Sequence, residues 1–259
     1  MQEAPILTIL IPNYNTESLT KLCLRLLRLH TDRNRVRVIV IDNQSRDGSA
    51  EYLRRIKWIK LIEREVGSEI GWVMHARALD EAFAQVTTPL VMVMHTDTLL
   101  ISDGWLDYLL NALGNDPMCA GVGSWKLEEV SPLKRFGQKI ETWIRLALRR
   151  PIKQRELYLR SHCALYRTEL LRKFTRGFYD GETAGYRLFF RLKQAGYSFR
   201  FLPAKELMRY IIHLNHATMI LNPHSGDSKT ARPSAKKRLR KELERLHYRE
   251  ILAADSLDD

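Results

Sequence analysis

Apolar runs and helix-spaced apolar stretches alternate through the first half of the chain. Residues 6–11 (Ile-Leu-Thr-Ile-Leu-Ile) predict a buried strand ended by Pro12. Leu19, Leu22, Leu26 and Leu29, with Arg and Lys between them, predict a helix over 17–29. The same reading gives strands at 36–41, 58–62 and 90–94 and helices at 47–56 and 73–85. Strand and helix alternate at βαβ length, which predicts an α/β fold with a parallel, doubly wound sheet. Ligands of such sheets sit beyond the carboxyl ends of the strands. Those ends here are polar: Pro12-Asn-Tyr-Asn15, Asp42-Asn-Gln-Ser45 and His95-Thr-Asp97.

The second half is less regular. A helix at 106–113 leads to a strand at 120–125. Residues 131–160 then place Phe136, Ile140, Trp143, Ile144, Ala147 and Leu148 on one helical face among Lys and Arg. That stretch reads as a surface helix packed on the domain or as a basic amphipathic helix at a membrane interface. Strands follow at 161–166, 197–202 and 209–212, with a helix over 184–195 closed by Gly196. After a loop-like 225–233 comes a charged helix over 233–254. Its thin stripe of Leu239, Leu243, Leu246 and Ile251 suits a strap on the domain or a contact with a partner, a homodimer included.

Composition narrows the class. The 259 residues are 45% hydrophobic and 28% charged, which excludes a disordered chain and supplies a substantial core. No apolar run approaches the ~20 residues of a membrane span. The N-terminus lacks a basic start before a long apolar stretch, which argues against a cleaved signal. Cys23, Cys119 and Cys163 are too scattered for a disulfide framework or a zinc site and suit a reducing compartment. A formal charge of +12 favours an anionic partner. No nucleic-acid-binding signature accompanies it, so no nucleic-acid partner is expected.

Two strand exits carry candidate chemistry. Asp42, at the end of an apolar strand and ahead of Asn43 and Ser45, can accept hydrogen bonds from a base or ribose; helix capping by Ser45 or Asp47 is the structural alternative. His95 and Asp97 lie two residues apart on one face of a strand end, where the pair can hold a divalent ion.

The strings Leu10-Ile-Pro-Asn-Tyr-Asn15, Ile39-Val-Ile-Asp-Asn-Gln-Ser-Arg-Asp-Gly-Ser49 and His95-Thr-Asp97 resemble, in order and spacing, family 2 glycosyltransferases with the GT-A fold. Ser161-His-Cys-Ala-Leu-Tyr166, the helix end Arg191-Leu-Lys-Gln-Ala-Gly-Tyr197 and Phe201-Leu-Pro203 are similar to the acceptor half of that family. The resemblance implies a GT-A-type Rossmann-like sandwich, its mostly parallel central sheet flanked by helices. It would span 1–224: a nucleotide-sugar-binding half (1–125), a basic amphipathic insertion (126–160) and an acceptor half (161–224). A basic helical extension (225–259) follows.

The implied activity is metal-dependent, inverting, hexosyltransferase-type transfer from a nucleoside-diphosphate sugar to a glycan, lipid-linked or protein hydroxyl. The implied cofactor is a divalent cation, Mn2+ or Mg2+. A non-catalytic sugar-nucleotide or glycan binder is the alternative. Pro12, Asn13, Tyr14 and Asn15 match the turn lining the nucleotide pocket, and Asp42 matches the carboxylate that reads base or ribose, flanked by Asn43 and Ser45. Gly71 and the helix from His75 to Asp80 resemble the segment beneath the donor. Arg77 on it is placed to meet a phosphate, or is simply an exposed helix arginine. Trp105, Trp125 and His162 are acceptor candidates, though packing explains the tryptophans equally.

The chain departs from the family twice. His95-Thr-Asp97 stands where the family has Asp-x-Asp, so His95 and Thr96 are expected to contact the nucleotide sugar. Asp97 keeps the metal-ligand role, while His95 can ligate metal or donate to a sugar hydroxyl. Ala184 and Gly185 stand where the family carries Glu-Asp, so either the loop is shifted and Glu182, with Asp180 next, takes the role of base, or the base lies elsewhere; capping of the following helix explains both acids otherwise. A late histidine completes the metal site in related enzymes, which makes His216 or His213 a third ligand, core packing being the alternative for each.

Charge maps away from these motifs. Residues 131–160 and 229–249 each hold nine basic and two acidic residues, a balance of +7 apiece, leaving −2 elsewhere. Both segments suit docking on an anionic membrane surface, with a cytoplasmic protein peripheral to its inner face.

Overall fold

The computed structural model describes residues 4–69, 71–127, 156–214 and 233–259, with the single positions 140, 143, 148 and 217. In chain order these form β1 (Leu7–Asn13), α1 (Glu17–Leu29), β2 (Val36–Asp42), α2 (Ser49–Arg55), β3 (Lys60–Glu63), α3 (Gly71–Phe83), β4 (Leu90–Met94) and β5 (Thr98–Leu100). There follow α4 (Trp105–Leu113), β6 (Cys119–Gly123), β7 (Cys163–Arg167), α5 (Thr168–Phe174), α6 (Tyr186–Gln194), β8 (Ser198–Phe201) and α7 (Ala204–Leu207). The described chain closes with β9 (Ile211–His213), α8 (Pro233–Arg245), α9 (Tyr248–Ala253) and a 3-10 turn, Asp255–Asp258.

Seven strands make one sheet in the order β3-β2-β1-β4-β7-β6-β8, and β5 and β9 pair separately. β7 runs antiparallel to both of its neighbours, β4 and β6, and the other pairs in the large sheet are parallel. The continuous apolar character of β1, β2 and β4 has a simple cause: alternate side chains serve two cores. Leu7, Ile9, Ile11, Val38, Val40 and Met92 pack with α1, α2 and α4 on one face. Leu10, Ile39, Ile41, Val91 and Val93 pack with α3, α5 and α6 on the other. The three cysteines are buried and unpaired.

Several boundaries move for identifiable reasons. Pro12 does not end β1, because it lacks only an N–H; the register continues through Pro12↔Ile41 and Asn13↔Asp42. The strand β5 is absent from the sequence expectation: it has three residues and exists through its ladder with β9. The expected helix over 233–254 breaks at His247, whose φ of 49° is left-handed. The apolar stripe of that region packs inward, with Leu239 buried and Leu243, Leu246 and Ile251 against the first core. It straps onto the domain, so it does not offer the dimer face that the stripe suggests. Most of 131–160 and 218–232 lies outside the described residues; Ile140, Trp143 and Leu148 are exposed. Among the described residues no helix is long and apolar enough to cross a membrane.

Candidate active site

The parallel register places the last residues of β1 and β2 side by side, and a buried polar network forms there. Asn13 Nδ2 donates to Asp42 Oδ1 at 2.6 Å and to Ser45 Oγ at 3.1 Å. Its Oδ1 accepts from the hydroxyls of Thr16 and Thr20 at 3.0 and 2.5 Å. Asp42 Oδ2 accepts the Ser45 backbone N–H at 2.9 Å. Ser45 Oγ also receives the N–H of Asn15, and Asn15 Oδ1 that of Arg46. Asn15 and Gln44 have positive φ, 49° and 58°, so both strand exits turn sharply over the sheet edge. Asp42 is buried, and partners among the described residues use two of its about four acceptor sites, which leaves capacity for a ligand hydrogen bond. Asn43 accepts from Arg64 at 2.8 Å, and Arg64 also pairs with Glu69 and Glu81; the sequence reading does not single out Arg64.

The second centre lies at the end of β4. Asp97 is 3% exposed, and pairing of Thr98 with His213 brings β9 beside it. His213 Nε2 stands 3.3 Å from Asp97 Oδ1 and His95 Nδ1 3.7 Å from the same atom. Donor atoms of His95, Asp97 and His213 all lie within 4.8 Å of one another. His95 Nε2 is held by Ser161 Oγ at 2.9 Å. His162 stacks on His213 with centroids 4.7 Å apart, and its Nε2 contacts Ser124 Oγ at 3.0 Å. A Cβ on Gly123 would collide with the Cys163 carbonyl oxygen, so only glycine lets β6 lie this close to β7. His75, on α3, sets its edge against His95 at 4.8 Å.

Thr96, between the two, has to be corrected as a donor-contacting residue. It is buried, and its hydroxyl faces that of Thr16 at 3.3 Å. Its side chain therefore joins the Asn13 network to the end of β4 from within, while its neighbours His95 and Asp97 approach His213. The Thr96 side chain supports the two centres from within.

Burial pushes the His95 imidazole well below its ordinary value, His75 down to about 4 and His162 down to about 3. The imidazole nitrogens of His95 and His213 beside the buried Asp97 carboxylate are a donor set that fits a divalent cation. His216 lies outside the described residues. The sequence reading names His75 and Ser161 only within longer segments and does not name Ser124, since only the packing of α3 and the register of distant strands bring them here.

The remaining candidates divide. Gly71 opens α3 with φ 56°, and the exposed Trp72 after it stacks on Tyr179 at 5.9 Å. Arg77 lies 4.8 Å from the Tyr179 ring and pairs with Glu69 at 3.0 Å. Tyr14 is half-buried beside the network. The Asp80 carboxylate, on α3, accepts the N–H groups of Phe178 and Tyr179 at 2.5 and 3.0 Å. Gly177 has φ 105°, and a Cβ there would collide with Asp80 Oδ1. Asp180 pairs with Arg191 at 2.9 Å, whereas Glu182 is half-exposed with a 3.7 Å contact to Arg187. Ala184 and Gly185 form the buried, left-handed entry to α6. Trp125 is half-buried, with the Arg160 guanidinium 5.4 Å from its ring. Trp105 must be withdrawn as an acceptor residue: it is 1% exposed, in the first core, and its indole N–H points to His30 O and Thr31.

The family profile described as Glycosyl transferase family 2 matches residues 8–175. Nothing among curated proteins matches the sequence significantly. The structure is similar to that of the mannosyltransferase PcManGT from Pyrobaculum calidifontis, solved in complex with GDP-Man and Mn2+. That likeness has a TM-score of 0.58 at 21% identity and covers 98% of this chain and 76% of that one. Glucosyl-3-phosphoglycerate synthase of M. tuberculosis is similar with a TM-score of 0.50 at 18% identity, over 78% of this chain and 75% of that one. At such identities the likeness is one of fold, the GT-A arrangement of helices around a mostly parallel sheet. With the family profile spanning β1 to α5, and so Asn13, Asp42, His95 and Asp97 though not His213, the chain belongs to glycosyl transferase family 2.

Proposed function

We propose that this chain is a metal-dependent, inverting glycosyltransferase of hexosyl type, using a nucleoside-diphosphate sugar and a hydroxyl acceptor on a glycan, a lipid-linked sugar or a protein. The observation that carries the reading is the buried Asp97 carboxylate facing His213 and His95 at the rim where Asn13 and Asp42 also end their strands. Asp97, His213 and His95 would hold the cation, and His216 is a further candidate. A cation there supplies positive charge against the departing nucleoside diphosphate.

The chain's own groups do the rest. The Asp42–Asn13 network gives the nucleoside a rigid floor, and the free acceptor sites of Asp42 receive ribose or base donors. Glu182 takes the acceptor proton, since Asp180 is clamped by Arg191. Trp72 on Tyr179 and the half-buried Trp125 are aromatic surfaces for a sugar ring. Ile140, Trp143 and Leu148, exposed within a stretch rich in Lys and Arg, support docking on an anionic membrane that carries the acceptor.

A thermal-shift panel of sugar nucleotides with Mn2+ and Mg2+ identifies the donor, because a bound donor raises the melting temperature in step with its affinity. With that donor, a folded Asp97→Ala variant is expected to lose at least about a hundredfold in nucleoside-diphosphate release. Undiminished metal-dependent release in that variant overturns the assignment. Donor binding with neither hydrolysis nor transfer favours the binder, the reading that Ala184 and Gly185 suggest.

A further inference from the structure

The cluster at the end of β4 differs from a carboxylate-only cation site in its donors: two imidazole nitrogens and one carboxylate oxygen converge there. Imidazole suits the later first-row divalent ions, whereas Mg2+ prefers oxygen and sheds its water reluctantly. The Asp97–His213 spacing matches that of two donors on one ion, and the Asp97–His95 spacing exceeds it by a few tenths of an ångström. Two donors each about 2.1 Å from an ion stand roughly 3.0–3.4 Å apart at angles between 90° and 109°. Asp97 Oδ1 lies 3.3 Å from His213 Nε2 and 3.7 Å from His95 Nδ1.

His95 is hydrogen-bonded from behind, as metal-bound histidines usually are, and His213 is braced by a stacked ring. Ser161 Oγ fixes Nε2 of His95, leaving Nδ1 turned to Asp97. The His162 ring lies flat on His213 and is itself fixed by Ser124, while His75 abuts the His95 ring. These supports come from α3, from the end of β6 and from the residues before β7, so the ring positions are set by the fold.

We propose that His95, Asp97 and His213 form a nitrogen-rich site that takes a transition cation such as Co2+ or Zn2+ ahead of Mg2+, on protein ligands alone and without nucleotide, and that His95 sets this preference. The inference rests on the reading of Asp97 as a cation ligand and adds to it the class of cation and the order of binding. Ser161 acts as a positioning residue, through His95.

The full chain, stripped with chelator, is titrated with Co2+, Zn2+, Mn2+ and Mg2+ in the absence of nucleotide, following cobalt's visible absorption and the melting temperature. One equivalent of Co2+ or Zn2+ is expected to saturate the site at concentrations about a hundredfold below those needed for Mg2+. His95→Asp, which supplies an oxygen ligand instead, is expected to narrow that gap at least about tenfold. Ser161→Ala, which leaves all three ligands in place, is expected to weaken Co2+ about tenfold and keeps the test open should His95→Asp fail to fold.

Equal ranking of Mg2+ and Zn2+ in the wild type, or no binding until nucleotide is added, overturns the proposal; so does an unchanged gap in a folded His95→Asp variant. A parallel arm with sugar nucleotides separates the two readings. A chain that binds sugar nucleotides but ranks the ions equally keeps the transferase and loses this site. A chain that binds Zn2+ selectively but no sugar nucleotide does the reverse.

Discussion

Asn13 shows how one side chain can hold two strand exits together. Its amide donates to Asp42 and Ser45 and accepts from Thr16 and Thr20, so every partner is polar and nearly all are buried. Asn13→Ala would leave an Asp42 oxygen short of a donor and would remove the shared acceptor of the Thr16 and Thr20 hydroxyls. The expected cost is about 2–4 kcal/mol of stability, read from urea unfolding, together with weaker donor binding. An unchanged unfolding midpoint would show that the network is redundant. Asn13 and Asp42 were legible in the sequence as polar residues at strand ends, but their bond to each other was not. That bond depends on the Asn13↔Asp42 register, which belongs to the paired strands and to neither segment alone. The same holds for His213, which reaches Asp97 only because β9 pairs with the three-residue β5. Trp105 and Thr96 show the reverse error. An aromatic at a helix start, or a threonine between two ligand candidates, reads alike whether it faces a ligand or the interior.

At the scale of elements, α3 is tied to the loop before α6 by one carboxylate. Asp80 receives the N–H groups of Phe178 and Tyr179, and burial raises its affinity for a proton against the effect of those bonds. The loop so held carries Tyr179, Asp180 and Glu182. Asp80→Ala is expected to cost about 2–4 kcal/mol, because two partly buried N–H groups lose their acceptor. Asp80→Asn keeps one acceptor oxygen and should lose about half as much. On the proposed role of Glu182 as base, sugar transfer should fall further than donor affinity in both variants. Equal losses in kcat and in donor affinity would place the loop's role elsewhere. The long periodic elements were legible because their apolar spacing is set by a core on one or both faces. α5 and α7, of seven and four residues, are too short to show a helical period, and both exist by packing against their neighbours.

At the scale of the whole molecule, the last residues of the chain secure the back of the fold through Arg25. This arginine of α1 is 1% exposed, and its guanidinium donates to Asp258, to Asp255 and to the carbonyls of Ile251 and Leu252. Tyr52 also donates to Asp258, and Trp58 to the Leu257 carbonyl. Partial burial alone would raise the Asp258 carboxyl, but the hydrogen bonds from Arg25 and Tyr52 outweigh it and hold the group below the ordinary aspartate value. A depressed native value means that the unfolded chain binds the proton more readily. The stabilisation from this group is therefore complete above the ordinary aspartate range, near 4, and is lost as pH falls below it through the native value. Protonation also leaves the buried Arg25 with one anionic partner fewer, so the strap should be the first region to open in acid. Hydrogen exchange is expected to show amides of α9 and of residues 255–259 losing protection below about pH 4, while β1 and β4 remain protected. Asp258→Asn should weaken the strap at neutral pH and flatten this pH dependence, since the titrating group is gone. An acid transition of the same size in that variant would assign the opening to other carboxylates.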